Sequence, residues 1–132
     1  MLKIPDGLKV SGVSGDYFRK QCFHRAARTF LKSLVAALAL PAGSYELRTN
    51  RGGPAVTGET VLHGEHLYVY VFEGGRGETR VLYRACASRR DYCGGPNHYA
   101  DMRELETIEN QARFVRACRG LMQMGDELRL TA

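Results

Sequence analysis

Cys86, Cys93 and His98 carry the side chains best suited to metal or thiol chemistry, at the spacing C-x6-C-x4-H. Structural zinc sites are built on much tighter cysteine pairs, so this set needs a fourth ligand from Cys22, Cys118 or another histidine. Cys93 beside Gly94-Gly95, with His98 five residues on, also reads as a thiolate–imidazole pair. Such a thiol is activated by a base or a helix N-terminus, normally on a separate element. Gly94-Gly95-Pro96 lacks the Lys and Ser/Thr that would follow in a phosphate-binding loop. Asp91 and Asp101 read as a turn residue and a helix cap rather than as a paired acid and base. No catalytic or cofactor motif is complete. No catalytic residue, metal or cofactor is therefore assigned, and a thiol- or zinc-dependent enzyme ranks last of three function classes.

Binding chemistry is better represented. Residues 80–99 hold Arg80, Tyr83, Arg84, Arg89, Arg90, Tyr92, His98 and Tyr99, the densest mix of basic and aromatic side chains in the chain. Arg and Tyr are enriched at binding hot spots, and Arg offers bidentate contacts to phosphate or carboxylate. The plain alternative is an Arg–Asp91 pair in an ordinary packed loop. Tyr68, Tyr70 and Tyr83 recur at period two on a hairpin, where they serve either as a stacking platform for single-stranded nucleic acid or as core. Arg19, Lys20, Arg25, Arg28 and Lys32, with His24, share one helical face that only Asp16 opposes. That face suits phosphates or an acidic protein groove, or it is simply solvated.

These residues need elements to position them. Residues 16–40 read as a helix. Their wide apolar stripe runs through Tyr17, Phe18, Cys22, Phe23, Ala26, Phe30, Leu31, Leu34, Val35 and Leu38, with Asp16 or Ser14 as cap and Pro41 and Gly43 as stop. Residues 44–49, 55–62, 67–72 and 78–86 read as strands, the second interrupted by Gly58. If Glu73 faces Glu78 across Gly74-Gly75-Arg76-Gly77, one face of the hairpin collects Tyr68, Tyr70, Phe72, Val81 and Tyr83. The other then collects Leu67, Val69, Val71, Arg80, Leu82 and Arg84. Residues 87–100 read as a loop. Residues 101–122 read as a second helix, with Asp101 and Glu104 as capping pair, a stripe through Leu105, Ile108, Ala112, Val115, Cys118 and Met122, and Gly125 as stop. Residues 1–15 read as an arm or short strand and 125–132 as a tail. The expected fold is a single α+β domain, an antiparallel sheet of three to four strands packed with an N-terminal and a C-terminal helix.

Composition sets the class of partner. The chain has 132 residues, 44% hydrophobic and 25% charged, which is one globular core's worth. No apolar run is long enough to span a bilayer, so a membrane partner is not expected. The start lacks the apolar segment of a secretory signal, and four scattered cysteines fit reduced thiols, so a cytoplasmic location is expected. Residues 1–50 hold eight basic and three acidic side chains and carry the whole net charge of +5. Only four of the basic residues are Lys, all at or before Lys32, and fifteen are Arg. Such an excess points to an anionic partner, or merely to solubility.

The stretch Arg84-Ala85-Cys86, then Arg89-Arg90-Asp91-Tyr92-Cys93-Gly94-Gly95-Pro96-Asn97-His98-Tyr99, together with Val61-Leu62-His63-Gly64-Glu65-His66-Leu67-Tyr68-Val69, resembles small uncharacterised proteins of bacterial plasmids and phages. The resemblance covers about half the chain and brings no site residues. It implies a context in which small accessory proteins act by binding, including as anti-CRISPR-type inhibitors of host-defence complexes. The first expectation is therefore a non-enzymatic protein that occludes a nucleic-acid-handling protein complex through Arg19, Lys20, Arg25, Arg28, Lys32, Arg84, Arg89, Arg90, Tyr92 and His98. The second is direct binding of single-stranded nucleic acid by Tyr68, Tyr70 and Tyr83. A small-molecule ligand is not expected.

Overall fold

The computed structural model describes residues 1–9, 17–52, 57–90 and 94–131. Its elements are α1 (Tyr17–Leu38), β1 (Tyr45–Asn50), β2 (Glu59–Gly64), β3 (Leu67–Glu73), β4 (Thr79–Ala85), β5 (His98–Asp101) and α2 (Ile108–Thr131), with short 3-10 turns at Asp6–Leu8 and Met102–Glu106. The strands form one antiparallel sheet in the order β1-β2-β3-β4-β5. The α+β class is as expected, but the sheet has five strands, not three to four. The extra strand lies inside the segment read as a loop. It is a short edge strand preceded by Gly94, Gly95, Pro96 and Asn97, so its strand pattern is too brief to register against those turn formers.

Alternation along β3 decides the layering. Leu67, Val69 and Val71 are buried, while Tyr68, Tyr70 and Phe72 between them are only half-buried. Both helices cover the aliphatic face. Phe23, Ala27, Phe30, Leu31 and Leu34 of α1 join Phe114, Val115, Cys118 and Leu121 of α2 over Leu62, Val69, Val71 and Val81. Burying the Phe, Leu and Val side chains among these stabilises the fold by about 1.5–3 kcal/mol each.

The chain start is packed rather than an arm over residues 1–9. Leu2 and Leu8 are buried, the Leu2 amide donates to Gln111 Oε1 at 3.0 Å, and the Lys3 amide donates to Ser33 Oγ at 2.9 Å. The proposed caps Ser14 and Asp16 lie outside the described residues. At the other end of α1, Ala39 takes φ 54° while the Leu40 amide donates to Val35 O at 3.1 Å, the six-residue closure of a Schellman motif. An alanine is strained in that left-handed conformation. Ala39→Gly is expected to stabilise the protein by about 0.5–1 kcal/mol, since relief of strain outweighs the extra freedom of the unfolded chain. Denaturant unfolding that shows a loss instead would refute this account of the helix end.

Asp101 caps, but it caps the 3-10 turn, accepting from the Arg103 amide at 3.0 Å. The α-helix proper starts at Ile108, where Thr107 Oγ1 accepts from the Asn110 amide at 3.2 Å. The intervening turn shifts the helical phase, so Ile108 is 73% exposed rather than buried and Phe114 takes up the core position. Nor does Gly125 stop the helix. The α2 backbone runs through it to Thr131, so residues 125–131 are helical and not a tail.

Candidate functional site

The face of the sheet opposite the helices gathers the aromatic and arginine side chains. Glu73 faces Thr79, not Glu78, because the Gly74 amide donates to Glu78 O at 2.7 Å and keeps Glu78 within the loop. This one-residue slip reverses the side on which every β4 side chain falls. Tyr68 now faces Arg84, Tyr70 faces Leu82, and Phe72 faces Arg80, all on the open face. Across β5, Leu82 faces Tyr99 and Arg80 faces Asp101. Towards the other edge, Tyr68 faces His63 and Tyr70 faces Val61, which in turn face Glu46 and Arg48. The expectation that Arg80 and Arg84 lie away from the tyrosines is thereby overturned.

The aromatic row is continuous. Tyr68 and Tyr70 stand with ring centroids 5.8 Å apart, Tyr70 and Phe72 5.3 Å apart, and Phe72 and Tyr99 6.4 Å apart. The Arg84 guanidinium lies 5.0 Å from the Tyr68 ring centre, and that of Arg80 lies 5.0 Å from the Tyr99 ring centre. These are cation–π distances, close enough for each cation to be attracted to the ring. Arg84 Nη1 also donates to Asn97 Oδ1 at 3.3 Å. A depression of about 280 Å³ opens here, lined by Glu59, Tyr68, Tyr70, Leu82, Arg84 and Asn97. Burial, with Tyr99 and Tyr68 close by, raises the Tyr70 pKa, so its ring meets a ligand as a neutral phenol. The face is not strongly cationic. Arg48 is held by Glu46 at 2.8 Å, and Glu59 and Asp101 share the face with Arg80 and Arg84.

Tyr83, expected beside Tyr68 and Tyr70, is on the helix side. It packs edge-on to Phe114 at 4.9 Å and stacks with His98 at 5.5 Å. It is core, and burial raises its pKa. His98 is an exposed edge residue whose ring is occupied by that stack.

The other expected binding residues are dispersed. Arg19, Arg25 and Lys32 are exposed on α1, and Lys20 and Arg28 are half-buried there. Arg28 Nη1 reaches Leu47 O at 3.5 Å. Arg89 is tied internally: its Nη1 donates to Gly43 O at 2.7 Å and its Nε lies 3.3 Å from Glu65 Oε1. It fixes the loop after β4 to the β1–β2 end of the molecule. Arg90 is exposed nearby. Tyr92, Asp91 and Cys93 lie outside the described residues, so the Cys86–Cys93–His98 set is not described as a unit. Among the described residues no group of three or more His, Cys, Asp or Glu side chains could hold a metal ion. The Cys86 thiol is buried and donates to Gly64 O at 3.6 Å, and burial pushes the Cys118 thiol up to about 12. Neither is poised as a nucleophile.

His24, read onto the basic face of the first helix, and His63 of β2 are both buried. His24 Nε2 donates to Thr57 O at 2.7 Å, which leaves Nδ1 to accept from the Thr60 hydroxyl at 2.8 Å. His63 Nε2 donates to Ser88 O at 3.0 Å, and its Nδ1 faces Arg48 Nη2 at 3.3 Å as acceptor. Both rings are thus neutral, and burial, the largest cause in each, lowers their pKa below the ordinary 6.5. A lowered folded-state pKa means the unfolded chain binds the proton first. Stability is therefore complete above pH 6.5 and is lost as pH falls below it towards the folded values. Urea midpoints measured from pH 7.5 to 5.0 should decline through this range, and His24→Asn should flatten the decline; a flat wild-type profile would contradict it.

Sequence reasoning missed Arg48, and it counted Arg80 and Tyr99 in the 80–99 cluster without joining them to the face of Tyr68, Tyr70 and Phe72. Only the register carries that signal, through Glu78 in the loop and the pairing of β5 with β4. No helix of the described residues is long and apolar enough to cross a membrane. Comparison of the chain with protein-family models, curated proteins and solved structures finds no match.

Proposed function

We propose that this is a non-enzymatic binding protein that holds single-stranded nucleic acid on the open face of its sheet. One observation carries the reading: the β3–β4 register sets Arg80 and Arg84 beside Tyr68, Tyr70, Phe72 and Tyr99. A half-exposed aromatic row on an antiparallel sheet offers successive π-faces to successive bases, and adjacent guanidinium groups reach the backbone phosphates. Duplex bases are already stacked on one another and cannot use such a row.

Because carboxylates offset the arginines, stacking rather than charge supplies most of the affinity. Two phosphate contacts, by Arg80 and Arg84, give a log–log salt slope of only about −1.4 at roughly −0.7 per phosphate. Fluorescence anisotropy with a labelled single-stranded oligonucleotide across a salt series tests this. Binding with a shallow slope and a preference for single strands over duplex supports the proposal; no binding at low salt removes it.

A second reading has its own observation. Arg19, Arg25 and Lys32 are exposed on the helix layer, away from the aromatic face. They favour docking against an acidic surface, as expected of a mobile-element protein that occludes a nucleic-acid-handling complex.

A further inference from the structure

A groove with a volume of about 680 Å³ lies on the helix layer, between α1 and α2. Its floor is Ala36 and Ala37 of α1 with Ala112 and Val115 of α2. The cations Lys3, Lys32, Arg116 and Arg119 complete its rim, and no carboxylate is among its lining residues. We infer that this groove docks an acidic amphipathic helix of a partner protein. The inference is independent of nucleic-acid binding on the sheet.

The geometry is built rather than incidental. The chain start crosses the two helices and is pinned to both, by the Leu2 amide on Gln111 of α2 and the Lys3 amide on Ser33 of α1. It bounds the groove and places Lys3 at its rim. Arg119 Nη2 donates to Ala37 O at 2.9 Å, which fixes the guanidinium over the end of α1. A guanidinium has five N–H donors, so the rest remain to meet a carboxylate.

Charge and shape select the occupant. A floor of methyl groups lets a helix backbone approach closely and buries apolar side chains at i, i+3 and i+4, the helix-in-groove mode. Four cations along the rim match Asp and Glu on the flanks of that helix and repel a basic one. Nucleic acid fits poorly, because this groove offers no aromatic ring for a base to stack on.

A library of displayed helical peptides, selected on the full chain, tests the inference. The recovered peptides should carry Asp or Glu flanking an apolar stripe. Their affinity should fall at least tenfold with Lys32→Glu plus Arg116→Glu, two exposed positions whose change leaves the core intact. Ala36→Trp should block them by filling the groove; should that variant not fold, as judged by circular dichroism, the charge-reversed pair alone decides. Binding should persist with Tyr68→Ala plus Tyr70→Ala, which separates this site from the sheet. Recovery of no binders, recovery of binders without acidic bias, insensitivity to the charge-reversed pair, or displacement of the peptides by an oligonucleotide would each overturn it.

Discussion

Tyr68→Ala combined with Tyr70→Ala is expected to weaken binding of a single-stranded oligonucleotide at least 30-fold. Base–aromatic stacking contributes about 1–3 kcal/mol per base, so two platforms contribute at least about 2 kcal/mol. The loss should exceed two independent truncations for a structural reason. Tyr68 carries the Arg84 guanidinium 5.0 Å from its ring centre, so removing the ring also takes away that arginine's cation–π partner. Tyr68→Phe with Tyr70→Phe should keep affinity within about threefold, since the π-face and not the hydroxyl does the stacking. Both rings stand on the open side of the sheet, so the fold should survive, which circular dichroism checks. An alanine pair that binds like wild type would show that the aromatic row is only a covering for Val61 and Leu82, which are buried in register on either side of Tyr70.

That face was partly legible in the amino-acid sequence, and the reason for the shortfall is specific. Alternation in residues 67–73 separates Tyr68, Tyr70 and Phe72 from Leu67, Val69 and Val71 without any structure, because side chains in a strand have period two. Which β4 residues join the tyrosines depends instead on loop length, and glycine-rich hairpin loops admit several lengths. With Glu78 in the loop, Gly74 to Glu78 closes through the Gly77 amide on Gly74 O at 3.0 Å and the Gly74 amide on Glu78 O. Arg80 and Arg84 then turn to the aromatic side and Tyr83 to the core. The α1 stripe was readable from Phe23 onward, since Phe23, Phe30, Leu31 and Leu34 are all buried, but Phe18, read into the same stripe, is 72% exposed. Its polar face was not uniform. His24, within a run of cations, is drawn inward by two hydrogen-bond partners from the chain around β2, distant in sequence. Such partners are invisible to local pattern. The internal partners of Arg89 were hidden on the same ground, because Gly43 and Glu65 become its neighbours only when the sheet forms.

Gly125→Ala offers the sharpest contrast between local propensity and tertiary contact. Within an exposed helix the change would stabilise by about 1 kcal/mol, since glycine is the poorer helix former. In α2 the added Cβ would lie 2.5 Å from Cys86 O, 2.6 Å from His66 O and 2.8 Å from His66 Cβ. Two of these neighbours are backbone carbonyls that bear on the β3–β4 pairing, because the Cys86 amide donates to His66 O at 3.1 Å. They cannot yield without disturbing that bond. Gly125 is therefore where the last turns of α2 close onto the end of the sheet, and the missing side chain is what permits the approach. Overpacking of this kind costs about 1–3 kcal/mol, and the clash with backbone places the net loss near the upper part of that range despite the gain in helix propensity. Thermal and urea unfolding should both show the destabilisation. The exposed Gly120, whose added Cβ meets nothing within 4 Å, supplies the control in the same helix: Gly120→Ala should stabilise. If both substitutions stabilised equally, α2 would not be seated against His66 and Cys86, and the helix would leave the sheet before residue 125.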